Sequence, residues 1–168
     1  MRAASNSGPL IHLARVSALF LLKKLYGEVL IPYEVKIEVV LRGKEKGYSD
    51  AFIVERAISE GWIIVVDVKP PETYLSLASR AGVHMAESRV IWLAYREGLV
   101  ALLDDDAARV FAESLGIKVR GSLGILIEAV KKGFMSKKNA LRTLDKLSNV
   151  MYLSADLYRI VRKAIERM

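Results

Sequence analysis

The chain has 168 residues, 52% of them hydrophobic and none of them cysteine, and its 26 basic and 19 acidic side chains leave a formal charge of +7. That length suits one domain with one well-filled core and leaves little room for a second. The lack of cysteine excludes a disulfide framework, a thiolate metal site and a thiol nucleophile, and makes a reducing, cytoplasmic setting the simplest expectation. The positive surplus favours polyanionic partners through the field of the whole molecule, without identifying one.

Arg2 is followed by Ser5, Asn6, Ser7, Gly8 and Pro9, and the apolar stretch beyond is interrupted by His12, Arg15, Lys23 and Lys24. The spacing predicts neither a secretory leader nor a membrane span. Further on, short β-branched runs alternate with helical periods, which predicts βα units around a parallel sheet. Strands are expected near Ala3 to Ser5, Val29 to Ile31, Ile63 to Asp67, Val100 to Asp104 and Ile117 to Val119.

Between them, one helix is expected to open around Pro9 and run through Leu25, with Gly27 as its stop. A second follows Pro32 and carries Val35, Val39 and Val40. A third starts at Asp50 as N-cap and ends before Gly61. Shorter helices are expected from Leu75 to Gly82, from Ala86 to Glu97, from Asp106 to Leu115, and from the Gly121-Ser122-Leu123-Gly124 turn to Gly133. Ser136 and Ser154 read as caps of two more helices, without a new strand. The expected organisation is therefore an α/β domain over 1–135 and a helical extension over 136–168 packed on the same domain.

In open parallel sheets, ligands bind beyond the carboxyl ends of strands where the strand order reverses. Two polar clusters fall at such ends: Ser5-Asn6-Ser7 after the first strand and Asp104-Asp105-Asp106 after the fourth. Asp106 reads as a helix N-cap, which leaves Asp105 as the first functional candidate and Asp104 as the second. Glu38 and Glu87 both stand among apolar neighbours, yet an exposed helix position and a favourable helix-dipole contact explain them as readily. His12 and His84 read as structural, since no second histidine stands at metal-ligand spacing. Trp92 points away from the face formed by Glu87, Val90, Ile91 and Ala94, which suggests a dimer contact first and base stacking second. The C-terminal cations, among them Lys131, Lys132, Lys137 and Lys138, form either a solvated face or a contact for an RNA backbone. Neither a G-x-G-x-x-G nor a G-x-x-x-x-G-K-[ST] signature is present.

Several segments resemble a known family when taken in order. They are Ser5 to Leu13, Ile31-Pro32 with Glu34-Val35 and Glu38-Val39, Gly61-Trp62-Ile63, Ala86-Glu87 with Val90-Ile91 and Ala94, Leu103-Asp104-Asp105 with Ala108-Arg109, and Gly121-Ser122-Leu123-Gly124. From Ala4 to about Lys132 the chain resembles the PIN-domain family, in particular its compact archaeal and bacterial branch of toxin-type ribonucleases.

That resemblance implies a three-layer α/β/α fold with about five parallel strands in the order 3-2-1-4-5. It implies Glu38, Glu87 and Asp105 as catalytic acids, and Asn6, Glu38, Glu87, Asp104 and Asp105 as ligands of Mg²⁺ or Mn²⁺. Ser7, Ser122 and Arg109 are the candidates for substrate contact. The partners implied are RNA, a small antitoxin and a second copy of the chain. Asn6 stands where the wider family carries aspartate, and an amide oxygen ligates without charge. Arg89 replaces a second acid frequent in this branch and is expected to face solvent. Two readings remain: a metal-dependent ribonuclease, and a nucleic-acid-binding or regulatory protein on the same fold.

Overall fold

The computed structural model describes residues 1–168. Its centre is a parallel sheet of five short strands: β1 (Ala3–Ser5), β2 (Val29–Pro32), β3 (Ile63–Val66), β4 (Val100–Leu102) and β5 (Val119–Arg120), in the order β3-β2-β1-β4-β5. Ala3 is level with Val29 on one side and Val100 on the other, so β1 is the central strand where the direction of winding reverses. Strands β1, β2 and β4 are buried at every residue, as continuous apolar runs require when helices cover both faces.

The helices are α1 (Ser7–Arg15), α2 (Phe20–Tyr26), α3 (Tyr33–Lys36), α4 (Gly43–Glu45), α5 (Ser49–Ser59), α6 (Glu72–Arg80), α7 (Met85–Glu97), α8 (Asp106–Ser114), α9 (Ser122–Lys131), α10 (Lys137–Val150) and α11 (Ala155–Glu166). A π-helical segment, Ile37–Arg42, joins α3 to α4. Helix α7 packs on β1, β2 and β4 with α6 and α8 beside it, whereas α1 packs with α5, α9 and α10. The result is the expected three-layer α/β/α arrangement. No helix is long and apolar enough to cross a membrane.

The single helix expected up to Leu25 is two helices, broken at Ser17, whose φ is +58°. A continuous helix over 7–26 would measure about 30 Å. The four-residue strand β2 that follows spans only about 13 Å, so an unbroken helix would overshoot the sheet. The break lets Leu21, Leu22 and Leu25 turn back onto the core. Periodicity does not reveal it, because the apolar positions keep a 3.6-residue phase through the break.

Asp50 is not the cap of α5; that position belongs to Tyr48. Asp50 lies in the first turn, buried, and accepts a hydrogen bond from Arg15 Nε at 3.1 Å. Strand β5 lies slightly later than expected because β4 fixes its register, Ala101 with Val119 and Leu102 with Arg120. Trp92 has partners within the chain: its ring is 4.8 Å from Tyr74 of α6 and 5.8 Å from Tyr95.

Ser136 and Ser154 cap α10 and α11, each accepting a backbone N–H at 3.2 Å, from Asn139 and Leu157 respectively. Ala140, Leu144, Leu147, Val161 and Ile165 carry these helices into the same core as the sheet.

Candidate active site

The carboxyl end of β1 is tied to β4 by the Asn6 N–H, which donates to Leu102 O at 3.1 Å. Asn6 then serves as the N-cap residue of α1 in extended conformation, without capping the helix through its side chain. The side chain instead turns to α7, where Nδ2 donates to Glu87 Oε1 at 3.4 Å. Asn6 Oδ1 and Ser7 Oγ are both buried without a hydrogen-bond partner. Buried polar atoms are normally satisfied, so two adjacent orphans at a strand end mark a place built for a ligand or an ordered water.

Glu87 sits in the first turn of α7, where its second oxygen, Oε2, accepts the His84 backbone N–H at 3.2 Å. Burial raises its pKa above the ordinary value; the His84 N–H opposes the shift, and the negative charges of Asp105 and Glu38 add to it. Glu38 and Asp105 therefore lie near enough to Glu87 for their charges to act on it. Glu38 projects from the π-helical segment, exposed and without a hydrogen bond or ion pair. Such a segment displaces side chains from regular helical positions and recurs at functional sites.

Asp105, not Asp106, is the N-cap of α8, and its Oδ2 accepts the Ala108 N–H at 3.0 Å. The strand ends earlier than the apolar run suggested, which moves the cap back by one residue. Asp105 is nonetheless exposed, with Oδ1 uncommitted, and its charge acts on Glu87.

Asp104 differs from expectation more deeply. Its Oδ1 accepts the Ser122 N–H at 2.7 Å, while Oδ2 accepts the Ser122 hydroxyl at 2.6 Å and pairs with His12 Nδ1 at 2.7 Å. Burial alone would raise its pKa, but the bonds from His12 and Ser122 outweigh that and hold it below the usual value. Asp104 thus links α1, the end of β4 and the start of α9. Ser122, fully buried, is committed to it. Gly121 makes room for this link: a Cβ there would stand 2.9 Å from Asp104 Oδ1 and would collide with an Arg109 guanidinium nitrogen. Arg109 forms no ion pair and only a long bond, 3.4 Å, to Leu103 O.

Arg89 does not face solvent; it is half-buried and paired with Glu34. His12 is the residue sequence reasoning assigned to bland packing. Its partner is 92 positions away, and the one local sign is Gly8 a helical turn earlier, whose absent Cβ leaves the space against Asp104 and His12 open. No three histidine, aspartate or glutamate side chains stand close enough to form a metal cage by themselves.

Fold and site together define a parallel α/β domain that gathers acids at the switch point of its sheet. The family model DUF3368, a PIN domain, matches residues 2–167, and the chain belongs to the PIN-domain family, whose members are as a rule divalent-metal-dependent nucleases. Among solved structures, the chain is similar to a PilT N-terminus domain protein, SSO1118, from the hyperthermophilic archaeon Sulfolobus solfataricus P2. The identity is 17% and the TM-score 0.55, over 77% of this chain and 94% of that one. A second similar structure, PAE2754 from Pyrobaculum aerophilum, has 16% identity and a TM-score of 0.46, over 69% of this chain and 98% of that one. No curated protein matches the chain.

Proposed function

We propose that the chain is a metal-dependent endoribonuclease in which Glu87, Glu38 and Asp105 supply the charge of the site. The carrying observation is the pair at its centre: a buried Asn6 oxygen without a partner beside a carboxylate whose acidity is weakened by burial and by two neighbouring acids. This all-oxygen donor set fits a hard divalent cation, and Asn6, Glu38, Glu87 and Asp105 would hold it. Mg²⁺ or Mn²⁺, when bound, polarises the scissile phosphodiester and lowers the pKa of water.

The chain's own groups have distinct parts. Asn6 holds Glu87 by its amide and keeps Oδ1 free of any partner. The unpartnered Ser7 Oγ is a donor available to a phosphate oxygen. Arg109, without a carboxylate partner, is the cation available to the same backbone. Asp104 and Ser122 act as positioning residues that fix the β4 end carrying Asp105, which replaces the ligand and substrate roles expected of them.

RNA as substrate, a toxin role with a small antitoxin, a homodimer and a cytoplasmic location are carried by the family resemblance. The reading of residues 136–168 as part of the same domain is supported by the match extending to residue 167.

The test is cleavage of a 5′-labelled single-stranded RNA panel with Mn²⁺, with Mg²⁺ and with chelator. Cleavage that needs metal and disappears in both Glu87→Gln and Asp105→Asn is the expected result. Absent cleavage combined with retained, salt-sensitive RNA binding would favour the non-catalytic reading that Asn6 motivates.

A further inference from the structure

A groove of about 950 Å³ runs between α8, β5 and α9 on one side and the loop at residues 151–154 with α11 on the other. Asp104, Arg109 and Gly121 line its inner end and Asp106 also borders it, so it adjoins the segment that carries Asp105. Arg109, Arg120, Lys131 and Lys132 face it. Arg120 and Lys132 share one carboxylate, Glu128, at 3.4 and 3.3 Å, while Arg109 and Lys131 have none. Both oxygens of Asp104 are taken up by hydrogen bonds with His12 and Ser122. Against these four cations the groove is lined by three acids, Asp104, Asp106 and Glu128, which leaves it with a positive surplus.

Tyr152 lies on the groove's rim, 90% exposed, with a φ of +53°. Seven glycines in the chain hold positive φ; the only other residues that do so are Ser17 and Tyr152. A bulky side chain is disfavoured in that conformation, and at a position just after a helix glycine is the usual occupant. The fold gains nothing visible from this ring, which packs against no aromatic or cationic neighbour. A flat, exposed aromatic beside unpaired cations is the chemistry that binds a single strand of nucleic acid: stacking for a base, charge for the phosphates.

We propose that this groove is a binding site for the part of a single-stranded RNA that extends beyond the scissile phosphate, with a base stacked on Tyr152 and phosphates held by Arg109, Arg120, Lys131 and Lys132. The proposal rests on the ribonuclease reading for its polarity, but binding can be measured without cleavage. A fluorescent 12-nucleotide oligouridine is titrated with the full chain in chelator and followed by anisotropy. Tyr152→Gly should raise the melting temperature, because the strain at φ +53° is released, and at the same time weaken RNA binding about tenfold. Tyr152→Phe should bind like the parent. The Lys131→Ala/Lys132→Ala pair should lower the slope of log affinity against log salt by about 1.4. Phe52→Ala, an exposed aromatic on α5, is the control expected to change nothing.

RNA affinity unaltered in Tyr152→Gly and in the lysine pair overturns the proposal and leaves the groove to a protein partner; absent binding by the parent overturns it as well. Metal-stimulated cleavage is scored separately on the parent. Cleavage with no effect of the groove variants removes the groove alone, whereas groove-dependent binding without cleavage removes the catalytic reading and keeps the groove.

Discussion

Asn6 donates its amide to Glu87 across 3.4 Å while its own oxygen stays buried and unpaired. An aspartate at position 6 would turn this contact into a repulsion between two carboxylates. Asn6→Asp should therefore lower the metal-free melting temperature, by several degrees for a loss of about 1 kcal/mol in a domain of this size. It should also tighten Mn²⁺ binding, since a carboxylate adds a full charge where the amide offers a dipole. Metal-free thermal melts check the first half and calorimetric titration with Mn²⁺ the second, and equal Mn²⁺ affinity in the two proteins would remove Asn6 from the ligand set.

Glu87 makes stability depend on pH with a definite sign. Its folded pKa is raised, so its contribution is fully present below the unfolded value near 4.5 and is lost as pH rises through the folded value. Glu87→Gln should thus gain stability relative to the parent between acid and neutral pH. Urea titrations at several pH values measure the difference, and a constant difference would contradict the assigned crowding of acids.

Asp104 has the opposite sign. Its depressed pKa contributes stability above the ordinary value of 3.8 and loses it as pH falls through the folded one. Asp104→Asn removes a charge that accepts three hydrogen bonds at a side chain only 11% exposed. A loss of about 2–4 kcal/mol in urea unfolding is expected. His12→Ala, which removes one of the three, should cost less.

Gly121→Ala tests the close approach at the start of α9. The added methyl meets Asp104 and the Leu103 carbonyl oxygen as well as the mobile end of Arg109, so retreat of Arg109 alone does not relieve it. Destabilisation of about 1–3 kcal/mol is expected. Gly124→Ala, whose nearest contact is 3.4 Å away on Arg120, should be far milder.

Excess Mn²⁺ should raise the parent's melting temperature, because binding to the folded state alone adds about 2.7 kcal/mol at a hundredfold excess over Kd. Asp105→Asn should reduce that shift. Thermal melts with and without chelator decide it.

The five strands were legible because buried parallel strands are short apolar runs, and only the ends of β4 and β5 departed clearly from expectation. Asn6 and Asp105 were singled out by the strand-end rule, and Glu38 and Glu87 by the family pattern. What escaped was set by distance along the chain. Asp50 pairs with Arg15 and Asp104 with His12; local spacing carries no sign of the first pair and only Gly8 as a sign of the second. The cap at Asp105 rather than Asp106 follows from β4 stopping at Leu102, a boundary that the run Ala101-Leu102-Leu103 conceals. The break at Ser17 was invisible because it preserves the apolar phase on which a helix is recognised.

The central strand takes one neighbour from β2 and the other from β4, almost a hundred residues later. A chain emerging from the ribosome can pair β1 with β2 early, but β1 must wait with one edge open until β4 is synthesised. Asp105 follows β4, so the acids assemble only when more than half of the polypeptide exists. Fragments ending before residue 100 should therefore display an unpaired strand edge, prone to association, and no assembled acid site. In this topology the order of synthesis delays the chemistry until four of the five strands have been made.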